Sequence, residues 1–273
     1  MKQILIALAA LSLAACSTKP PLTLQAFECG EVEVRDISLF SPGIDEGMKK
    51  NLVDSCYLIQ HPKGNLIWDT GITDAVGEEG VEVFGGKLKL TVTNPLSDQL
   101  AAINIKPSDI QFMGISHFHG DHTGNANLFN TAQLFIQQAE YDAAFGPTPE
   151  SFGFNADSYN KIDKTKITVL NGDHDVFGDG SVIIKPAPGH TPGHQMLLVN
   201  LEKEGPIMLS GDLYHFTKNR EHKRVPSFNF DKEQTLQSME SIEEFVKETD
   251  AKLWIQHDKE QNATIKHSPY SYQ

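Results

Sequence analysis

The 273-residue sequence predicts an α/β fold made of two similar layers joined face to face. Three observations carry that expectation. Short strand-like apolar runs crowd the first third of the chain, at residues 31–38, 56–60 and 66–69. A clear helix opens at Asp231, with Gln234 three residues on as its capping pair. An apolar stripe of Leu236, Met239, Ile242, Phe245 and Val246 follows at helical spacing. Residues able to do chemistry gather where strand-like runs end, which is where loops carry reactive groups on a rigid scaffold.

In chain order, residues 1–15 are expected to be a signal peptide. Lys2 supplies a positive end, residues 4–13 an apolar stretch, and Leu13-Ala14-Ala15-Cys16 a small-residue cleavage site. The apolar stretch is shorter than the ~20 residues that span a bilayer. With Cys at its end the leader resembles a bacterial lipoprotein signal, which implies a lipidated Cys16 and a tether over residues 16–21. Ser17, rather than Asp, after that Cys resembles lipoproteins sent to an outer membrane. Plain secretion after Ala15 is the alternative, so the protein is expected to be extracytoplasmic: anchored to the outer membrane, periplasmic or secreted. Residues 22–273 form the expected single domain, since no repeat or low-complexity linker divides them.

Within that domain residues 22–29 and 56–60 read as strands that bring Cys29 and Cys56 into play. Export permits a disulfide between them, and two buried thiols are the equal alternative. Residues 77–94, with Val83-Phe84-Gly85-Gly86, have the character of a mobile loop over a pocket. Residues 97–102 and 141–144 read as helices. Residues 110–115 read as a short buried strand between Pro107 and Gly120. If that strand persists through His119, His117 and His119 point to one face.

The run Ser116-His117-Phe118-His119-Gly120-Asp121-His122 packs three imidazoles and a carboxylate into its last six residues. Those are nitrogen and oxygen ligands for divalent metals. One pair can hold one ion, while Asp121 and His122, carried past the strand end at Gly120, hold a second beside it. More ligands stand downstream at His190 and His194 in a Gly/Pro-rich loop, and at Asp212 and His257 after the apolar runs 206–209 and 253–255.

At this point the chain resembles the metallo-β-lactamase superfamily. The pattern is His117-x-His119-x-Asp121-His122, then Gly189-His190-Thr191, Ser210-Gly211-Asp212 and His257, with Trp68-Asp69-Thr70-Gly71 upstream. Within it, several stretches resemble N-acyl-homoserine lactonases: His61-Pro62-Lys63-Gly64, Lys106-Pro107-Ser108-Asp109-Ile110, Gly211-Asp212-Leu213-Tyr214-His215, Val225-Pro226-Ser227-Phe228 and His257-Asp258-Lys259-Glu260-Gln261. The resemblance implies a four-layer αββα sandwich with the metals at one edge. It also implies the ligands. His117, His119 and His190 hold a first ion, Asp121, His122 and His257 a second, and Asp212 bridges two divalent ions, expected to be Zn²⁺. His194 and Asp69 are then supporting residues rather than ligands.

The implied chemistry is opening of a lactone ring by metal-activated hydroxide. Asp121 relays the proton to the leaving alkoxide, and Tyr214 or His215 supplies a donor to the carbonyl oxygen. No Gly-x-Ser-x-Gly elbow offers a nucleophilic side chain instead. Phe152, Phe154, Phe228 and Phe230 are candidates for an acyl-chain channel, or else ordinary packing aromatics. A net charge of −13, or −14 once a leader carrying Lys2 is removed, argues against nucleic acid and anionic lipid as partners. The membrane is then met only through Cys16, the partner is a small lactone or ester, and a dimer is one open option. Other readings are a thioesterase resembling glyoxalase II, a β-lactamase or a phosphodiesterase on the same scaffold, and a lipoprotein that sequesters small molecules without turnover. A di-iron oxidoreductase is disfavoured, because that class resembles His-x-Glu where this chain has His117-x-His119.

Overall fold

A computed structural model describes residues 20–273, so the leader and most of the tether lie outside the described residues. The first sheet has eight strands: β1 (Thr23–Val34), β2 (Lys50–His61), β3 (Gly64–Trp68), β4 (Val81–Val83), β5 (Leu88–Thr91), β6 (Phe112–Gly114), β7 (Gln133–Gln137) and β8 (Ile167–Leu170). Their spatial order is β4-β5-β1-β2-β3-β6-β7-β8. The second sheet has β9 (His174–Asp175), β10 (Val182–Pro186), β11 (Gln195–Leu201), β12 (Gly205–Leu209) and β13 (Lys252–Trp254), in the order β13-β12-β11-β10-β9. Six α-helices complete the described residues: α1 (Leu96–Ala102), α2 (Gly120–Thr123), α3 (Gln138–Ala144), α4 (Thr217–Glu221), α5 (Lys232–Thr249) and α6 (Lys259–Asn262).

Strand alternation sorts the apolar residues into separate cores, with Val32, Val34, Phe40, Leu52 and Leu88 forming one at the β1–β5 end of the first sheet. Leu24, Ala26, Tyr57, Ile59, Leu66 and Trp68 from the first sheet meet Leu197, Val199, Leu209 and Trp254 from the second. Their odd-even counterparts Phe27, Cys56, Leu58 and Ile67 face outward onto Leu96 and Leu100 of α1 and Ala143 and Ala144 of α3. On the far side Met196, Leu198 and Met208 cover Met239, Ile242 and Val246 of α5. The result is the expected αββα sandwich. Asp231 caps α5 by accepting the Gln234 N–H at 2.9 Å, and the stripe on that helix is core packing.

Several element boundaries differ from expectation. Residues 22–38 hold one long strand, bulged between Glu28 and Gly30, followed by a 3-10 turn at Ile37–Leu39. Residues 77–94 are not an irregular loop: they supply the β4–β5 hairpin, with Val32 opposite Leu90 and Val34 opposite Leu88 extending the sheet. The strand before the histidine run stops at Gly114, so alternation does not place His117 and His119. Cys29 and Cys56 are joined as a disulfide across β1 and β2.

One close approach sets the edge of the sandwich where the strands end. The Gly124 N–H donates to the Gly71 carbonyl at 2.9 Å, pinning the end of α2 to the turn after β3. A Cβ at Gly124 would lie 2.2 Å from the Thr73 nitrogen and 2.4 Å from the Gly71 oxygen, both backbone atoms that cannot swing away. Gly124→Ala is therefore expected to lower the unfolding free energy by about 1–3 kcal/mol. Denaturant unfolding checks it, and a midpoint equal to wild type would contradict this account.

Candidate metal centre

Parallel strands β3, β6, β12 and β13 all point their C-terminal ends at one edge of the sandwich, and the loops leaving them carry the ionisable residues. His117 and His119 lie in the loop after β6. Asp121 and His122 are swung round by the single turn of α2, in which the His122 N–H donates to the His119 carbonyl at 3.1 Å. His190 comes from the turn before β11, Asp212 from the 3-10 turn after β12, and His257 from the segment after β13.

These side chains form two clusters whose facing atoms lie within 4.8 Å of one another. One is His117, His119, His190 and Asp212, and the other is Asp121, His122 and His257. His119 Nδ1 stands 2.8 Å from His117 Nε2 and 3.2 Å from His190 Nε2. Asp212 reaches both groups. Its Oδ2 is 3.4 Å from His190 Nε2 and 3.7 Å from His117 Nε2, while Oδ1 is 2.9 Å from His257 Nε2 and 3.3 Å from His122 Nε2. The structure thus brings together the side chains of His117, His119, His190 and Asp212, and those of Asp121, His122 and His257.

The opposite edge of most of these rings is fixed. His122 Nδ1 meets Asp69 Oδ2 at 3.0 Å, His257 Nδ1 donates to the Val53 carbonyl at 2.7 Å, and His119 Nε2 donates to the Phe152 carbonyl at 3.2 Å. Such contacts settle the tautomer and aim the other nitrogen inward. Asp69 also accepts the Ser116 N–H through Oδ1 at 2.6 Å, so one buried carboxylate orients His122 and the start of the histidine loop. His194 is a brace for Asp212. Its Nδ1 donates to the Ala187 carbonyl at 3.0 Å and its Nε2 accepts the Asp212 N–H at 2.9 Å.

The charges are those of a cation site. Burial and the neighbouring His122 push His117 well below the usual imidazole range, and burial does the same to His190. Burial also lowers His194, to about 4. Burial opposes charge on His257 too, but the Asp212 carboxylate outweighs it and raises that ring to about 9. Likewise Asp212, Asp69 and Asp121 overcome burial and raise His122 well above its ordinary value. Burial would raise Asp212, yet His257, His215, His122 and His117 hold it well below the carboxylate range. His122 Nε2 and Asp212 Oδ1 are buried without an aligned hydrogen-bond partner. Close, misaligned lone pairs converging from separate loops are satisfied by divalent cations, and this donor set fits two of them.

Beside the clusters opens a cavity of about 770 Å³. His119, Asp121, His190, Asp212, His215 and His257 line it together with the apolar side chains of Val32, Phe40, Leu52, Leu88, Leu90 and Phe228.

A profile of the metallo-beta-lactamase superfamily matches residues 52–249 of this chain. The chain belongs to that superfamily. The N-acyl homoserine lactonase AttM of Rhizobium radiobacter is 32% identical over 227 residues, covering 79% of this chain and 86% of that protein. The N-acyl homoserine lactonase AiiA of Bacillus thuringiensis subsp. kurstaki is 28% identical over 245 residues, covering 86% of this chain and 92% of its own. Among solved structures, an N-acyl homoserine lactone hydrolase with the product N-hexanoyl-L-homoserine at its catalytic metal centre is similar at a TM-score of 0.80 and 26% identity. That match covers 91% of this chain and 98% of the other.

Within this superfamily member the two donor candidates part company. His215 faces the cavity, with Nε2 3.0 Å from Asp212 Oδ2, its ring edge-on to Phe40 and stacked with His257. Tyr214 does not. Its hydroxyl turns into the α5 layer and donates to Glu243 at 2.9 Å, and Arg220 forks onto the same carboxylate at 2.7 and 2.9 Å. Extended backbone at Tyr214 sends consecutive side chains to opposite sides, so only one of the two can meet the site. Of the four phenylalanines, Phe152, Phe228 and Phe230 line the cavity, while Phe154 is buried in the core beneath. Sequence reasoning missed the Val53 and Phe152 carbonyls, which carry no side-chain signature, and Ser116, whose Oγ lies 3.1 Å from His122 Nδ1.

With His257 titrating at about 9 and His122 raised as well, both rings carry protons at pH 7–8 that a metal must displace. Adding zinc or cobalt to metal-free protein in weakly buffered solution is expected to release protons in that range, and less as the pH rises past about 9. A pH-stat titration checks the sign. Uptake without proton release would contradict it.

Proposed function

We propose that this protein is a metal-dependent hydrolase that opens the lactone ring of N-acyl-homoserine lactones. One observation carries the reading: members of both clusters line the same cavity as a set of apolar side chains, which suits a ligand with a polar ring and a hydrocarbon tail. The lactonases that the chain resembles support it.

His117, His119 and His190 would hold one ion and Asp121, His122 and His257 the other, with the Asp212 carboxylate lying between the two sets of side chains. Zinc suits these nitrogen and oxygen donors. When bound, the pair supplies Lewis acidity and a nucleophile at neutral pH. The chain's own groups do the rest. His215 Nε2, buried and aimed into the cavity, donates to the lactone carbonyl oxygen as it gains charge. Asp121, with 29% of its side chain exposed, carries the proton to the departing alkoxide. Phe40, Val32, Leu52 and Leu88 pack against the acyl tail and exclude water from it. The lipoprotein-like leader adds an extracytoplasmic address, with Cys16 as the lipid-bearing residue.

Purified enzyme is expected to release acid from homoserine lactones, faster with longer acyl chains, and to stop on treatment with a chelator. Turnover of a thioester or β-lactam in preference to every lactone would overturn the substrate assignment. His215→Ala is expected to lower kcat/KM by about 100-fold or more. Tyr214→Phe leaves kcat unchanged and costs about 1 kcal/mol of stability through the lost bond to Glu243. Equal turnover by the His215 variant would remove it from the mechanism. Cys16→Ser is expected to move the protein from the membrane to the soluble fraction, and continued membrane association would refute the anchor.

A further inference from the structure

Glu140, in the first turn of α3, is 1% exposed and belongs to neither ligand cluster. Its two oxygens nonetheless accept four hydrogen bonds from the loops that carry the ligands. Oε1 accepts the Phe118 N–H at 2.9 Å and the Thr191 hydroxyl at 3.0 Å; Oε2 accepts the Gly193 N–H at 2.8 Å and the same hydroxyl at 2.8 Å. Phe118 stands between the ligands His117 and His119. Thr191 follows the ligand His190 directly. The contact is tight as well as polar: a Cβ on Gly193 would lie 2.4 Å from the Glu140 nitrogen.

All three imidazoles of the first cluster therefore hang from two loops that meet on a single carboxylate. Gln195 ties the stems of those loops, with its N–H on the Ser116 carbonyl at 2.8 Å and its side chain on the Ile115 carbonyl at 2.8 Å. Glu140 ties their tips, at the ligands themselves. The second cluster is braced elsewhere, His122 by Asp69 and His257 by the Val53 carbonyl.

We infer that Glu140 is a positioning residue for the first metal position: by spacing the His117–His119 loop from the His190 loop, it sets the affinity for one ion of the pair while touching neither. This inference rests on the two-metal reading of the site. Glu140→Gln keeps the size but replaces one acceptor oxygen with an amide NH₂, so a donor must face the N–H of either Phe118 or Gly193. Removing such an outer partner weakens a metal site by about 10–100-fold. Thr191→Val removes the shared hydroxyl alone and perturbs the spacing less.

Metal-free wild type, Glu140→Gln and Thr191→Val are titrated with zinc against a chromophoric chelator, with unfolding midpoints measured alongside. Wild type is expected to take two ions. Glu140→Gln takes one with wild-type affinity and one weakened about 10–100-fold, and Thr191→Val shows a smaller shift of the same kind. Cobalt at one equivalent identifies the spared position by NMR. The shifted ring N–H signals should be those of His122 and His257, which face Asp69 and Val53, without that of His119, which faces Phe152. Two unchanged affinities, or two equally weakened ones, would overturn the inference. If Glu140→Gln does not fold, Thr191→Val decides alone, and an unshifted first ion overturns the proposal. A wild type that binds fewer than two ions would instead bring down the two-metal reading.

Discussion

Everything at the functional edge of this protein answers to one electrostatic constraint: several imidazoles and a carboxylate buried with their lone pairs facing one another. Such groups repel or strand each other in a low-dielectric interior unless a cation stands between them or another partner is found. Asp212 shows how strong the field is. Burial alone would protonate it, yet the surrounding rings keep it ionised. The folded scaffold must hold that arrangement against its own repulsion. It does so from outside, through Asp69, His194 and the Val53 carbonyl, each anchored on a strand or a strand end.

The layered architecture makes that bracing possible. Period-two alternation gives each sheet two apolar faces, one for the partner sheet and one for helices, so both sheets are clamped from either side. The strand ends then become fixed points, and short loops can be aimed from them. Gly124 and Gly71 show the tolerance involved. Two backbone segments meet there at a distance no side chain would permit, and the turn that carries His122 is held against the turn that carries Asp69.

What was legible in the sequence was whatever is local. The histidine run is contiguous, so its chemistry could be read without knowing the fold, and the stripe on α5 has a period that only a helix explains. Asp212 and His257 are ordinary residues by themselves; the histidine run made them ligand candidates, and only the resemblance gave each a particular place. Tyr214 against His215 was undecidable from the chain, because the answer lies with Glu243 and Arg220, which claim the tyrosine hydroxyl from another layer. The β4–β5 hairpin was hidden for a similar reason. Strands of three and four residues carry too little alternation to be recognised, and β1, with which β5 pairs, lies more than fifty residues upstream in sequence. Contiguous motifs report chemistry, whereas side-chain direction is settled by contacts far along the chain.

The course of β1 has one more consequence. Its Val32 lines the cavity, but the strand starts nine residues earlier, about 30 Å away at the usual rise per residue. There Leu24 pairs with Tyr272 and Ala26 bridges to His267, so both ends of the described chain share the pole of the sandwich remote from the ligand loops. Whatever holds the protein by either end, a lipid, a resin or a fused partner, grips it like a lamp by its base. The mouth is left facing the solution, and substrate can approach it without passing the support.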